Sequence, residues 1–331
     1  MREIAPIPAA TPTIDVHLTA AGRRAALAVD VLRGLTSTPK ELPAKWFYDE
    51  RGSALFDEIT RLPEYYLTRR EREILVARAD EIAALTRAET LVELGSGSSE
   101  KTRLLIDALL WAGGLRRFVP FDVSERFLRQ SADRLAREYP GLAVHGVVGD
   151  FEHHLGYLPG APRKLVVFLG SSLGNLVGGT RTRFLRAIRH YLDPGEALLL
   201  GADLVKDTQR LEAAYNDAAG VTIAFNRNVL SVIDNELGGD FRLDRFEHVA
   251  RFDPEEEWID IGLRAIDRQT VCIPTVGLEV RFAAGELMRT EISDKFRREG
   301  LEAELAAAGF EPARWWEDPL GDFALSLSYA G

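Results

Sequence analysis

The chain has 331 residues, 46% of them hydrophobic, which supplies a packed core and length enough for two domains. Its formal net charge is -10, with no basic surplus for a polyphosphate backbone, so nucleic acid is excluded as an expected partner. The one cysteine, Cys272, excludes an internal disulfide and a cysteine-built zinc site, and no apolar run of about 18 residues marks a membrane span.

The N-terminal stretch "MREIAPIPAATPTIDVHLTAAG" lacks a continuous apolar leader, so a cytoplasmic protein is expected, working as a monomer on a small molecule. From about Arg70 helices and strands alternate. "REREILVARADEIAALTRA" carries apolar residues at helical spacing, and "TLVELG" is a short strand of buried type. "EKTRLLIDALLWAG" is then helix, "RRFVPFDVS" strand, "ERFLRQSADRLAREYP" helix, and "LAVHGVVGDF" and "RKLVVFLGSS" strands. "RTRFLRAIRHYL" returns to helix before the turn "DPGE" and the strand "ALLLGADL". That order predicts an α/β fold, a parallel sheet covered by helices on both faces.

After about Lys206 the texture changes. "DTQRLEAAYNDAAG" and "TIAFNRNVLSVIDNEL" read as helices, and "RFEHVARFD", "EWIDIGLRAID" and "VGLEVRFAAGELMRTEIS" as antiparallel strands. A further helix, "DKFRREGLEAELAAAGF", precedes two closing strands, "ARWWED" and "FALSLSYA", which are expected to complete the first sheet. The second region is thus an insertion. Two units follow: residues 1–69 with 205–295, a mixed α+β substrate-binding domain, and residues 70–204 with 296–331, the Rossmann-like sheet.

"LVELGSGSSEK" places Gly95 and Gly97 at the first strand-to-helix turn, where backbone can approach a ligand closely. A dinucleotide fingerprint asks for a small residue at position 100, and Glu100 stands there instead, which disfavours a pyrophosphate. S-adenosylmethionine (SAM) has no phosphate, and Glu93, just before the turn, suits a cationic group. Lys101, read as lying in the first helical turn, opposes the helix dipole unless an anion such as the methionyl carboxylate binds there; a solvated lysine is the alternative. Asp122 closes the second strand, where an acid can take both ribose hydroxyls, and Asp150 with Phe151 ends the third, facing an adenine. The pattern points to a SAM-dependent methyltransferase, with a NAD-dependent dehydrogenase or a SAM-binding regulatory module as rivals.

At these residues the chain resembles the histidine-specific SAM-dependent methyltransferases, the L-histidine Nα-methyltransferases of ergothioneine biosynthesis. The stretches "LPEYYLTRREREIL", "ELGSGSSEKTRLLIDAL", "PFDVSERFL", "GDFEHHL", "FLGSSLGNL", "AAYNDAAGVTIAFNRNVL" and "MRTEISDKFR" carry the resemblance, from about Lys45 to Arg298. It implies three methyl transfers from SAM to the α-amino group of L-histidine, giving hercynine, without a metal. It also implies that Gly95, Lys101, Asp122, Asp150 and Phe151 hold SAM. Tyr65, Gly170, Asn175 and Tyr215 would hold the amino-acid end of histidine, and Glu291 and Ser293 its imidazole, with Ile261 close by where relatives often carry Met. Tyr48, in "KWFYDERGS", would close over the substrate and act with Asn175 in catalysis. A same-family N-methyltransferase for a tryptophan-like amino acid is the nearest rival, which Glu291 disfavours because an indole has one N–H.

Residue type alone leaves other readings open. Asn175 in "SLGNLVGG" suits a turn, and Tyr65 and Tyr215 suit core packing. Ser293 or Asp294 suits an N-cap for a helix beginning near Lys295. His153 and His154 read as a solvated loop, Trp315 and Trp316 as sheet packing, and Cys272 as a small buried strand residue.

Overall fold

The computed structural model describes residues 11–331, so the first ten residues of the segment 1–69 lie outside the described residues. Strand β1 (Thr13–Val16) and helices α1 (Ala20–Thr36), α2 (Glu50–Ile59) and α3 (Leu67–Thr86) come first. The alternating region runs β2 (Thr90–Leu94), α4 (Arg103–Trp111), β3 (Arg117–Asp122), α5 (Glu125–Glu138), β4 (Ala143–Val148), β5 (Lys164–Phe168), α6 (Gly179–Tyr191) and β6 (Ala197–Asp203). α7 (Thr208–Ala213) and α8 (Val221–Leu237) lead into β7 (Phe246–Asp253), β8 (Trp258–Ala265), β9 (Gln269–Ile273), β10 (Leu278–Phe282) and β11 (Leu287–Asp294). α9 (Arg298–Ala307) and the hairpin β12 (Phe310–Glu317) and β13 (Phe323–Ala330) close the chain.

Eight strands form the main sheet in the order β1-β4-β3-β2-β5-β6-β13-β12. Pairs from β1 to β6 are parallel, whereas β13 runs antiparallel to β6 and β12 to β13. The near-continuous apolar strands follow from burial on both faces. Along β5, Leu165 and Val167 enter one core while Val166 and Phe168 enter the other. Strand order reverses between β2 and β5, which opens a crevice at their carboxyl ends.

The inserted region carries an antiparallel sheet β11-β8-β7 and a pair β10-β9. α8 buries Val229, Leu230, Val232 and Ile233 beneath them. The N-terminal segment reaches this region through Leu42 N donating to Arg289 O at 2.8 Å.

Several expectations are corrected. β1 lies within residues 1–69 yet pairs with β4 in the main sheet, because its extended backbone satisfies an otherwise open parallel edge. The helix expected through "NDAAG" stops at Ala213, since Asp217 accepts Thr222 N at 2.7 Å and Val221 N at 2.9 Å and starts α8 instead. β9 separates "TVCI" as a strand of its own, on which Cys272 is exposed rather than buried. Lys101 lies in a turn two residues before α4, not within its first turn. β11 continues through Asp294 and α9 begins at Arg298, so neither Ser293 nor Asp294 caps a helix. Asp294 instead pairs with Arg181. Among the described residues no helix is long and apolar enough to cross a membrane.

Candidate active site

β2 ends at the glycine turn. Gly95 (φ 66°) and Gly97 (φ 49°) take left-handed conformations that side-chain-bearing residues avoid, and a Cβ at either would meet nothing within 4 Å. The turn therefore faces open space. Its shape is held by Gly95 N and Ser96 N donating to Phe121 O at 2.9 and 3.0 Å, and by Gly97 N donating to Asp122 Oδ2 at 2.9 Å. Asp122 Oδ1 also accepts from Ser124 N at 2.9 Å. Burial raises the Asp122 carboxyl, and those backbone donors only partly offset it.

Beneath the turn, Glu93 accepts a hydrogen bond from Thr102 Oγ1, while its buried Oε2 has no partner. Burial pushes its carboxyl up to about 7. A partnerless carboxylate oxygen under an open glycine cradle fits a ligand bearing a cationic group and no phosphate, as the amino-acid end of SAM does. Lys101, for which an anionic ligand was expected, is paired with the buried Glu71, whose other oxygen accepts from Gly170 N at 2.7 Å. Asp150 accepts from Lys45 Nζ at 2.9 Å and from Glu152 N at 2.8 Å. Burial works to raise the Asp150 carboxyl, and Lys45 outweighs it and holds it low. Phe151 meets Phe168 and Phe184 edge-on, with centroids 5.4 and 5.6 Å apart.

Beside this edge lies a cavity open to solvent, with about 610 Å³ of empty space counting its mouth. Tyr48, Tyr65, Gly170, Asn175, Tyr215, Ile261, Glu291 and Ser293 all line it. Five separate segments deliver them. Tyr48 and Tyr65 flank α2, Gly170 and Asn175 follow β5, and Tyr215 follows α7. Glu291 and Ser293 share one face of β11, and Ile261 stands opposite Glu291 on β8.

The polar wall is tightly connected. Asn175 Nδ2 donates to Glu291 Oε1 at 2.8 Å, leaving the amide its Oδ1 acceptor and a second N–H. Burial pushes the Glu291 carboxyl up to about 7, against the opposing Asn175 bond and Lys295 charge. Tyr215 Oη and Ser293 Oγ are 2.8 Å apart, and Lys295 Nζ donates to both. Desolvation holds the phenols of Tyr48, Tyr65 and Tyr215 well above their usual range, so all three stay protonated at neutral pH. The opposite wall is apolar, from Phe47, Phe56 and Phe225.

Sequence reading missed Glu71, Lys45, Asn226, Asp203 and Lys295. Signals existed for the last two: Asp203 ends β6 as Asp122 ends β3, and Lys295 is two residues beyond Ser293 in an extended stretch. Asn226 itself lines the cavity and braces its wall, accepting from Thr290 Oγ1 at 2.7 Å and donating to Gly262 O at 3.0 Å. His153 is near Asp150 Oδ2, at 3.4 Å, and among the described residues no group of three or more His, Cys, Asp or Glu could hold a metal ion.

Comparison with known proteins matches residues 27–330 to the family described as "Histidine-specific methyltransferase, SAM-dependent". A histidine N-alpha-methyltransferase of Mycolicibacterium smegmatis is 57% identical, over 96% of this chain and 99% of the relative. One from Mycobacterium tuberculosis is 56% identical, over 94% of this chain and 97% of its own length. The ergothioneine biosynthesis protein 1 of Neurospora crassa is 32% identical over 89% of this chain, which corresponds to 34% of that longer protein.

Proposed function

Because the chain belongs to the SAM-dependent, histidine-specific methyltransferase family, we propose that it transfers three methyl groups in succession to the α-amino nitrogen of L-histidine, giving hercynine in the first step of ergothioneine biosynthesis. The observation that carries this reading is one cavity in which an amide, a titratable carboxylate and two hydroxyls line a polar wall beside the open glycine turn. Residues 11–69 and 205–295 form the substrate side, β1 excepted, and residues 70–204 and 296–331 the donor side.

SAM would supply an electrophilic methyl on a sulfonium, held by Gly95, Gly97, Glu93, Lys101, Asp122, Asp150 and Phe151. The protein's own work is positioning, since in-line displacement needs the amine lone pair aimed at the methyl carbon. Asn175 has an acceptor for the amine and a donor for the carboxylate, Tyr65 adds a phenolic donor beside it, and Tyr215, bonded to Ser293 Oγ, shapes the adjoining wall. Gly170, with no side chain, leaves room between the two ligands. Tyr48 covers the cavity from the aromatic side, packing edge-on to Phe56 and Phe225 at 5.6 and 5.4 Å. The α-ammonium must lose a proton before each transfer, and enclosure in a desolvated pocket favours the neutral amine. The three phenols are too weakly acidic to serve as phenolate bases there. After the third transfer nitrogen has no lone pair, and reaction ends.

Incubating L-histidine with SAM and enzyme, followed by mass spectrometry, should show successive methyl additions up to three. Absence of methylated histidine would overturn the reading. Histamine, which keeps the ring and lacks the carboxylate, should be methylated far more slowly. Asn175→Ala should impose the same defect on histidine, and unaltered turnover and affinity in that variant would place orientation elsewhere.

A further inference from the structure

The hydroxyls of Tyr215 and Ser293, 2.8 Å apart on the cavity wall, are backed by a buried ammonium. Lys295 Nζ donates to Ser293 Oγ at 2.8 Å, to Tyr215 Oη at 2.9 Å and to Asp203 Oδ2 at 2.9 Å. The side chains of Lys295 and Asp203 are both 0% exposed. Asp203 is further held by Tyr66 Oη, 2.8 Å from Oδ1, and by Lys206. Burial works to raise the Asp203 carboxyl, but Lys295 and Lys206 hold it below the usual range, so it remains an anchor for the ammonium.

A donor count then constrains the wall. An ammonium has three N–H groups and no lone pair, and its three partners use all of them. Both hydroxyl oxygens must accept from Lys295. The two hydroxyls own two hydrogens, and one lies between them. Among the described residues neither oxygen has another partner, so the second hydrogen is directed into the cavity.

We propose that Lys295, seated by Asp203, is a positioning residue that obliges the Ser293–Tyr215 pair to donate a hydrogen bond to the substrate ring, so that the site takes a neutral imidazole in a single tautomer. The bare ring nitrogen faces the hydroxyl pair and the ring N–H faces Glu291. This inference rests on the reading that the ring lies between Glu291 and Ser293. An imidazolium would meet Glu291 favourably, but its second N–H would be pressed against a donor with the Lys295 charge behind it, and a buried donor left unpaired is costly. Side chains lacking a ring acceptor at that position are refused for the same reason.

The test is NMR of L-histidine labelled at both ring nitrogens, bound to the enzyme with S-adenosylhomocysteine, which has no methyl to give. One bare and one protonated nitrogen, in one tautomer even where free histidine's ring is protonated, is the expected spectrum. Two protonated nitrogens, or averaged tautomers, overturn the inference. Lys295→Met, its fold checked by retained S-adenosylhomocysteine affinity, should bind histidine about ten- to a hundredfold more weakly and lose the single tautomer. Unchanged affinity with the same tautomer would remove Lys295 from this role. Should that variant fail to fold, the wild-type spectrum decides alone. A wild-type enzyme that binds no histidine overturns this inference together with the reading beneath it, whereas bound imidazolium overturns this inference only.

Discussion

Glu291 sits half-buried on the cavity wall with its carboxyl pushed up to about 7, because losing water costs its charged form more than Asn175 and Lys295 return. A carboxyl raised in the fold is a destabilising charge: the cost is absent below its ordinary 4.5, where both states are protonated, and complete above about 7. The gap between 4.5 and about 7 corresponds to at most about 3 kcal/mol. Glu291→Gln should therefore melt higher than wild type at about pH 8 without ligand, and the two should converge toward about pH 4.5. The same variant should weaken histidine by about 1.5–3 kcal/mol, since an ionised acceptor for the ring N–H is gone, and leave S-adenosylhomocysteine affinity unchanged in calorimetry. Equal loss of both ligands would assign Glu291 to the architecture of the insertion instead.

At the scale of elements, the segment after β5 and strand β11 are in backbone contact, and that contact brings Asn175 to Glu291. Gly174 permits it: a Cβ there would stand 2.8 Å from Asp294 O and 3.1 Å from Asp294 N. Both neighbours are main chain of a paired strand, with no flexible side chain to give way. Gly174→Ala should push the segment off β11, break the bond between Asn175 and Glu291, and raise the KM for histidine at least about tenfold, by loss of alignment. S-adenosylhomocysteine binding, which the proposed donor site assigns to the turn after β2, should change little. A Gly174→Ala enzyme with wild-type KM would show that the segment's position is set by other contacts.

For the whole molecule, the N-terminal segment is tied to the sheet's carboxyl edge through Lys45, whose ammonium is 2.9 Å from Asp150 Oδ2 and 3.1 Å from Asp30 Oδ2. Burial works to lower the Lys45 pKa, and the two carboxylates outweigh it and raise it. Lys45→Met removes the cation between those carboxylates, leaving Asp30 its contact with Arg33, and should cost about 1–3 kcal/mol at neutral pH. The Asp150 carboxyl is held below its ordinary 3.8, so its contribution is present above that value and fades as pH falls through the lower folded value. Melting curves of wild type and Lys45→Met should thus converge in acid. A difference that persists undiminished at about pH 2 would attribute the loss to packing of the lysine stem.

What the sequence determined by itself is local: helical and alternating periodicities, the glycine turn after β2, and acids closing successive strands, each set by residues a few positions apart. Those patterns, with the family resemblance, named eight residues that the fold assembles around one cavity. What the tertiary structure alone decided is pairing across long separations. Lys101 meets Glu71, Lys45 meets Asp150, and Lys295 meets Asp203, joining β11 to the end of β6. β1 crosses to the far sheet edge although α1, which follows it in sequence, packs against α8 of the inserted region. No periodicity encodes such partners, because the fate of a buried charge depends on which counter-charge packing brings within hydrogen-bond reach, and packing is a property of the whole chain.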